Sequence, residues 1–412
     1  MPTHHFEVLP PHPLRPDYDR SLDHDDVHDM FQRRLEPANY TTGYFSNLIT
    51  RLRQELEQDA GNEQLAYKLA FSLLQNRADA EAVYQASQLL DLVRTEPIAR
   101  PGDVAHLRDL VAAIIGRIEA RTETSEPDSH YVARRVNWSI NNRCPMVCRG
   151  CYNPFTEDQI GLRDAMIIVD KLVAHGTTDL VLSGGDPLLY PPIFDVVEYA
   201  HDAGLKVALD TTGYTLTAEK IARLSTSLAS IRLPLDGSTP EFQRAFRRSQ
   251  DRDLVARFRR SLQLCDDAGF HAVRVHTVVS RPTVQDLDAI AEIIFGYECV
   301  RQWLLFQWWG RRASKRLTEE LAVDLADVEE AAERLTVNYP DKEIYCASTD
   351  VRELVNFFIQ SNGQVITMAS GYMEEFIVGD MLLDSMTEIT ANPILDFSAI
   401  QRGLPVTIKG SS

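Results

Sequence analysis

An α/β fold built on a parallel sheet is predicted by three observations. From residue 136 onward, short apolar, β-branched or aromatic runs alternate with amphipathic helical patterns. Several of those helical patterns end at glycine, a common helix stop. The stretch ahead of them, from Tyr40 to about Arg121, shows helical periodicity only. Strands that alternate with helices form parallel sheets with the helices outside.

The elements follow in order. Residues 1–37 are rich in Pro, His and Asp without periodicity and are read as an extended arm. YTTGYFSNLITRLRQELEQ, NEQLAYKLAFSLLQ, ADAEAVYQASQLLDLV and DVAHLRDLVAAIIGRIEA place apolar residues three and four apart, so four helices are expected, with Asn62 and Asp103 as N-caps. TETSEPDSH is a polar linker. The predicted strands are RVNWSI, DLVLSGG, KVALDTTG, SIRLPLDG, AVRVHTVVS and RQWLLFQWW. Past residue 313 come one more helix and strand-like pieces around EIYCAS, NFFIQS, QVITMA and EFIVGD. The expected divisions are therefore an arm and helical domain over 1–125, a core over 126–313 and a C-terminal extension over 314–412.

Composition narrows the function. The 412 residues carry 42 basic and 60 acidic side chains, a net charge of −18. Nucleic-acid binders carry basic patches, so no nucleic-acid partner is expected, and a neutral or cationic substrate suits the charge. No run of 18 apolar residues exists to span a membrane. The N-terminus lacks a basic start followed by an apolar core. A cytoplasmic enzyme is the resulting expectation.

Three of the six cysteines, Cys144, Cys148 and Cys151, lie within eight residues in NNRCPMVCRGCYNPF, directly after the first strand. A disulfide framework would be denser. Thiolates at tight local spacing hold iron–sulfur clusters, and three of them leave one iron of a cubane open. A structural zinc site wants a fourth Cys or His, and His175 is the nearest downstream. The Cys-x3-Cys-x2-Cys spacing and its place after the first strand resemble the radical S-adenosylmethionine (radical SAM) superfamily. The resemblance implies a partial (β/α)6 TIM-like barrel, a [4Fe–4S] cluster on the three cysteines, and S-adenosylmethionine on the open iron. It also implies an external electron donor such as flavodoxin or ferredoxin. The cleaved cofactor then yields a 5′-deoxyadenosyl radical that abstracts a substrate hydrogen. The family's aromatic residue before the third cysteine is replaced by Gly150, and Tyr152 follows instead as the candidate adenine contact.

Further positions carry the resemblance. Ser183-Gly184-Gly185-Asp186-Pro187 stands 32 residues after the third cysteine, where the family shows Gly-Gly-Glu-Pro. Asp210-Thr211-Thr212-Gly213 resembles its Thr-Asn-Gly segment. Arg232-Leu233-Pro234-Leu235-Asp236-Gly237 resembles the Ser-Leu-Asp-Gly segment of the molybdenum-cofactor and pyrroloquinoline-quinone branch. Pro234 replaces the serine, which leaves Arg232 as the candidate contact to the methionine carboxylate. The resemblance thus implies cofactor contacts at Tyr152, Ser183, Gly184, Gly185, Asp186, Thr211, Thr212 and Arg232.

Strand ends of such a barrel face the active site. Asp236, Gln307, Trp309 and Arg311 are the candidate substrate contacts, and Tyr214 and His276 the candidate proton carriers. Arg274 and His276 share one strand face by alternation. His276 is preferred because an unperturbed imidazole titrates near neutrality. Cys265, Cys299 and Cys346 are scattered, so no C-terminal auxiliary cluster is expected. A single cluster and an acidic chain put a polar small molecule first, of amino sugar or nucleoside type, undergoing elimination, epimerisation or rearrangement. The alternatives are a ribosomal-peptide maturase whose N-terminal helices hold a leader, and a cluster-bearing binding protein without radical chemistry.

Overall fold

The computed structural model describes residues 44–94, 103–123, 132–149, 151, 159–249, 253–309, 315–348, 357–368 and 375–395. The predicted arm, Tyr152 and Arg311 lie outside the described residues. Four helices come first: α1 (Tyr44–Gln58), α2 (Glu63–Gln75), α3 (Ala80–Asp91) and α4 (Asp103–Glu123). The Asn62 side chain caps α2 by accepting the Leu65 N–H at 3.1 Å, an arrangement that stabilises a helix by about 1 kcal/mol. Asp103 is the first residue of α4.

The six expected strands form the middle of one ten-stranded sheet. They are β1 (Arg135–Asn141), β2 (Asp179–Gly184), β3 (Lys206–Asp210), β4 (Leu228–Pro234), β5 (Val273–Val279) and β6 (Val300–Gln307). Each pairs with the next in parallel. The connecting helices are α5 (Leu162–His175), α6 (Ile193–Asp202), α7 (Ala218–Leu224), α8 (Pro240–Phe246), α9 (Leu254–Asp267) and α10 (Leu287–Ile294). Gly176 ends α5 in the left-handed region, at φ 91°, a conformation glycine adopts without a Cβ penalty.

The remaining strands extend both edges. After α11 (Lys315–Leu321) and α12 (Leu325–Asn338), β7 (Glu343–Ala347) pairs in parallel with β6. On the opposite edge, β8 (Phe358–Ile359) pairs in parallel with β1. The antiparallel strands β9 (Gln364–Met368) and β10 (Glu375–Asp380) follow it, and α13 (Met386–Thr390) comes last. Among the described residues no ladder joins β7 to β10, so the sheet stays open, as a partial barrel.

Strand alternation separates two environments. Val136, Trp138, Ile140, Leu180, Leu182, Leu209, Ile231, Leu233, Val275 and Trp303 are buried in one core with helix residues such as Ile168, Leu172 and Val196. The residues between them form a polar inner face that includes Ser139, Ser183, Asp210, Arg232, Arg274 and His276. The N-terminal helices share the barrel's core: Ala70, Leu74, Val83, Leu107 and Ile114 belong to the same apolar cluster as Trp138 and Phe376. Phe45 of α1 packs on Ile366 and Ile377 of the β9–β10 hairpin. The Arg77 N–H donates to Ile377 O at 2.7 Å, and its guanidinium pairs with Asp384.

Candidate active site

The cysteine loop leaves the end of β1 under tight restraint. Asn141 is fully buried. Its Nδ2 donates to Asp186 O at 2.9 Å, and its Oδ1 accepts the Arg143 N–H at 2.8 Å. The loop then pairs with the segment after β4: Val147 N–H donates to Arg248 O at 2.7 Å and Arg149 N–H to Phe246 O at 2.8 Å. The buried Arg149 guanidinium donates to both oxygens of Glu320 on α11, and to Ala245 O at 3.0 Å. The three thiols sit in one apolar cluster with Met146, Phe246, Leu254, Trp308, Leu317 and Leu321. Burial pushes the Cys148 thiol up to about 12, against the pull of Arg247. Burial raises Cys144 too, and the neighbouring Cys148 and Cys151 add to it.

The Gly184–Gly185 turn lies against this loop. A Cβ on Gly184 would fall 2.1 Å from Asn141 O, and one on Gly185 the same distance from Arg143 O. Two backbone bonds seal the contact, Gly185 N–H to Asn141 O at 2.8 Å and Asp186 N–H to Arg143 O at 2.7 Å. The buried Asp186 carboxylate accepts from Leu188 N–H at 3.0 Å, from the Thr211 hydroxyl at 2.7 Å and from Thr212. Burial raises its pKa while these bonds pull it back. Asp186, Thr211 and Thr212 were expected as cofactor contacts; here the two hydroxyls serve a clamp between the β2 and β3 loops. The Ser183 hydroxyl likewise donates within the sheet, to Trp138 O at 3.3 Å.

Two expectations need correction. Asp236 is not open to substrate, because it is fully buried with both oxygens engaged. One oxygen accepts the Val278 N–H at 2.8 Å and the other Arg247 Nε at 2.6 Å. His276 does not titrate near neutrality. Burial pushes its imidazole down to about 3; Asp210 favours its protonation, and Arg232, Arg135 and Arg274 oppose it. Such a ring is neutral at pH 7 and can accept a hydrogen bond, but it is a poor proton carrier there. It faces inward beside Phe306, with ring centroids 5.1 Å apart.

The other predicted residues divide between two places. Arg232 is buried and paired with Asp210 at 3.1 Å, and its Nε has no partner among the described residues. Tyr214 packs half-buried against the cysteine cluster. The Arg257 guanidinium lies 4.0 Å from the centre of its ring. Gln307 donates to Val323 O at 3.0 Å. Trp308 is buried beside the thiols and α11, whereas Trp309 is half-exposed. Sequence reasoning missed Arg247 and Arg149. The only signal for Arg247 is an arginine at the end of the helical pattern following Asp236.

The donor set fits a thiolate-ligated cluster. Three thiols on one loop share an apolar pocket, and Arg247 Nη1 donates to Cys148 Sγ at 3.6 Å. The indole N–H of Trp308 is buried in the same pocket without a partner among the described residues. Among the described residues no three His, Cys, Asp or Glu side chains converge on one point as a single metal ion requires. Thiolates that each bind a different iron of a cubane need not converge.

Comparison with known proteins agrees with this geometry. Residues 138–294 match the radical SAM superfamily. The mycofactocin maturase MftC of Mycobacterium tuberculosis is 27% identical over 166 residues, which are 39% of this chain and 42% of that one. The AdoMet-dependent heme synthase of Methanosarcina barkeri is 27% identical over 172 residues, 39% of this chain and 46% of that one. The PqqA peptide cyclase of Ruegeria pomeroyi is 33% identical over 107 residues, 25% and 29% of the two chains. The chain thus spans less than half the length of these relatives. In fold it is similar to native anSMEcpe with bound AdoMet and Cp18Cys peptide. That match has a TM-score of 0.52 at 13% identity and covers 65% of this chain and 83% of that one. The cysteine loop and the glycine turn both lie within the residues that match the radical SAM superfamily.

Proposed function

We propose that the protein is a radical SAM enzyme whose substrate is a peptide. The similarity to the PqqA peptide cyclase, at 33% identity, carries this reading. It sets the peptide, at first the alternative, ahead of an amino sugar or nucleoside. Cys144, Cys148 and Cys151 would hold a [4Fe–4S] cluster, and Gly184 and Gly185, which seat their turn on the cysteine loop, would bring its backbone beside S-adenosylmethionine. When bound, this pair supplies a carbon-centred radical that takes a hydrogen atom from the substrate. The chain's own residues do the rest. Met146, Phe246, Leu254 and Trp308 keep water from the pocket. The partnerless Arg232 Nε supports its role toward the methionine carboxylate. Tyr214 and Trp309 would face the substrate side, and His276, as a neutral ring, would accept a hydrogen bond. An external one-electron donor completes the reaction.

A tetrapyrrole substrate is the second reading, favoured by the similarity to a heme synthase. One experiment separates them. Reduced, cluster-loaded protein is incubated with S-adenosylmethionine and either short peptides encoded beside its gene or an iron porphyrin carboxylate. A mass change in a peptide, with 5′-deoxyadenosine released, is the expected result. Change in the porphyrin alone would replace the peptide reading. His276→Gln and Tyr214→Phe should then keep cofactor cleavage while peptide turnover falls.

A further inference from the structure

Arg247 is the C-cap of α8, with its N–H donating to Gln243 O at 2.8 Å. Its side chain is 13% exposed and turns back into the cysteine pocket. Nη1 reaches Cys148 Sγ at 3.6 Å while Nε donates to Asp236 Oδ2 at 2.6 Å. Asp236 is itself immobilised. Its other oxygen accepts the Val278 N–H, and its own N–H donates to Gln243 Oε1 at 2.7 Å. A fully buried carboxylate, fixed from β5 and α8, therefore aims one guanidinium at one thiol. Cys148 is the most buried of the three cysteines, so this donor acts where water screens least.

We propose that Arg247, held by Asp236, is a positioning residue that donates to the Cys148 thiolate and raises the reduction potential of the cluster bound there. This rests on reading the three cysteines as cluster ligands. The step concerned is uptake of one electron from a low-potential donor, dithionite in the test, with no bond made or broken. The added electron increases the negative charge on the cluster and its sulfurs. A fixed cation and N–H donor at one sulfur stabilise that charge, and hydrogen bonds to sulfur are among the levers that set such potentials.

The test is a redox titration of the reconstituted full chain, followed by electron paramagnetic resonance, with iron counted on each sample. Arg247→Gln keeps a polar side chain but removes the charge, Arg247→Lys keeps the charge, and Arg247→Met fills the space with neither charge nor donor. The expected result is a more negative midpoint for Arg247→Gln and Arg247→Met at unchanged iron content and a near wild-type midpoint for Arg247→Lys. A wild-type midpoint in Arg247→Gln overturns the proposal, as does an equal shift in the Gln and Lys variants, which would point to packing. Should Arg247→Gln lose iron, Arg247→Met decides, and an unchanged midpoint there overturns it. Wild-type protein that binds no iron would instead overturn the underlying cluster reading.

Discussion

Gly185→Ala tests how closely the glycine turn must approach the cysteine loop. The added Cβ would lie 2.1 Å from Arg143 O, 2.5 Å from Arg143 C and 2.7 Å from Asn142 C. All three are backbone atoms, so no side chain can swing aside. Reaching even a 3.0 Å contact requires the two segments to part by about 0.9 Å, the difference between 3.0 and 2.1. That parting breaks or lengthens the Gly185–Asn141 and Asp186–Arg143 hydrogen bonds. Two buried bonds at about 1 kcal/mol each and an overpacking cost of about 1–3 kcal/mol give a loss of about 3–5 kcal/mol. Gly116→Ala is the control, because its Cβ meets nothing within 4 Å inside α4. It should stabilise by about 0.5–1 kcal/mol. Urea unfolding of the metal-free protein reads both changes, and iron content after reconstitution reads the loop. Gly185→Ala with unchanged unfolding and full iron loading would refute the close-approach argument.

Cys148→Ala should abolish cluster binding, whereas wild type should take up about four irons per chain; eight irons would reveal a second cluster. A chain starting at Glu126 should be poorly soluble, because Leu74, Leu107 and Ile114 are buried in the barrel's core; full solubility in light scattering would make the helices an independent module. His276 gives a signed pH dependence, since its pKa falls from 6.5 to about 3 on folding. Between those values the unfolded chain binds a proton that the folded protein refuses, so stability is full above 6.5 and declines as pH drops. At pH 4 the loss reaches at most about 3 kcal/mol, and His276→Gln should flatten that part of a denaturation-versus-pH curve.

The features legible in the sequence are the local ones. Cys144, Cys148 and Cys151 stand out by their spacing within one loop, and the six central strands announce themselves by alternation with helices. Asn62 caps its helix because a cap is a three-residue event. What sequence reasoning could not reach depends on distant partners. NFFIQS reads as strand-like, but the place of its two-residue β8 between β1 and β9 depends on those two partners. His276 loses its ordinary titration chiefly because the assembled sheet buries it, with Arg232, Arg135 and Arg274 on the inner face adding to the effect. Asp236 carries the family-like Leu-Asp-Gly pattern, yet its role is set by Arg247 eleven residues later, brought back by the short helix α8.

These long-range contacts share one consequence for the cysteine loop. From β2, the glycine turn fixes its start through two backbone bonds. Past β4, Phe246 and Arg248 accept from its middle, and Arg247 meets Cys148. Glu320 on α11 grips Arg149 between the second and third cysteines. Loops anchored at their ends alone leave their middles free to move. Here each pair of neighbouring cysteines has an anchor between it: Val147 bonded to Arg248 between Cys144 and Cys148, and Arg149 bonded to Phe246 and Glu320 between Cys148 and Cys151. The loop is thereby held by the barrel and by the C-terminal extension together. The extension, which carries no cysteine pattern of its own, acts on the thiols through Glu320, Leu317 and Leu321.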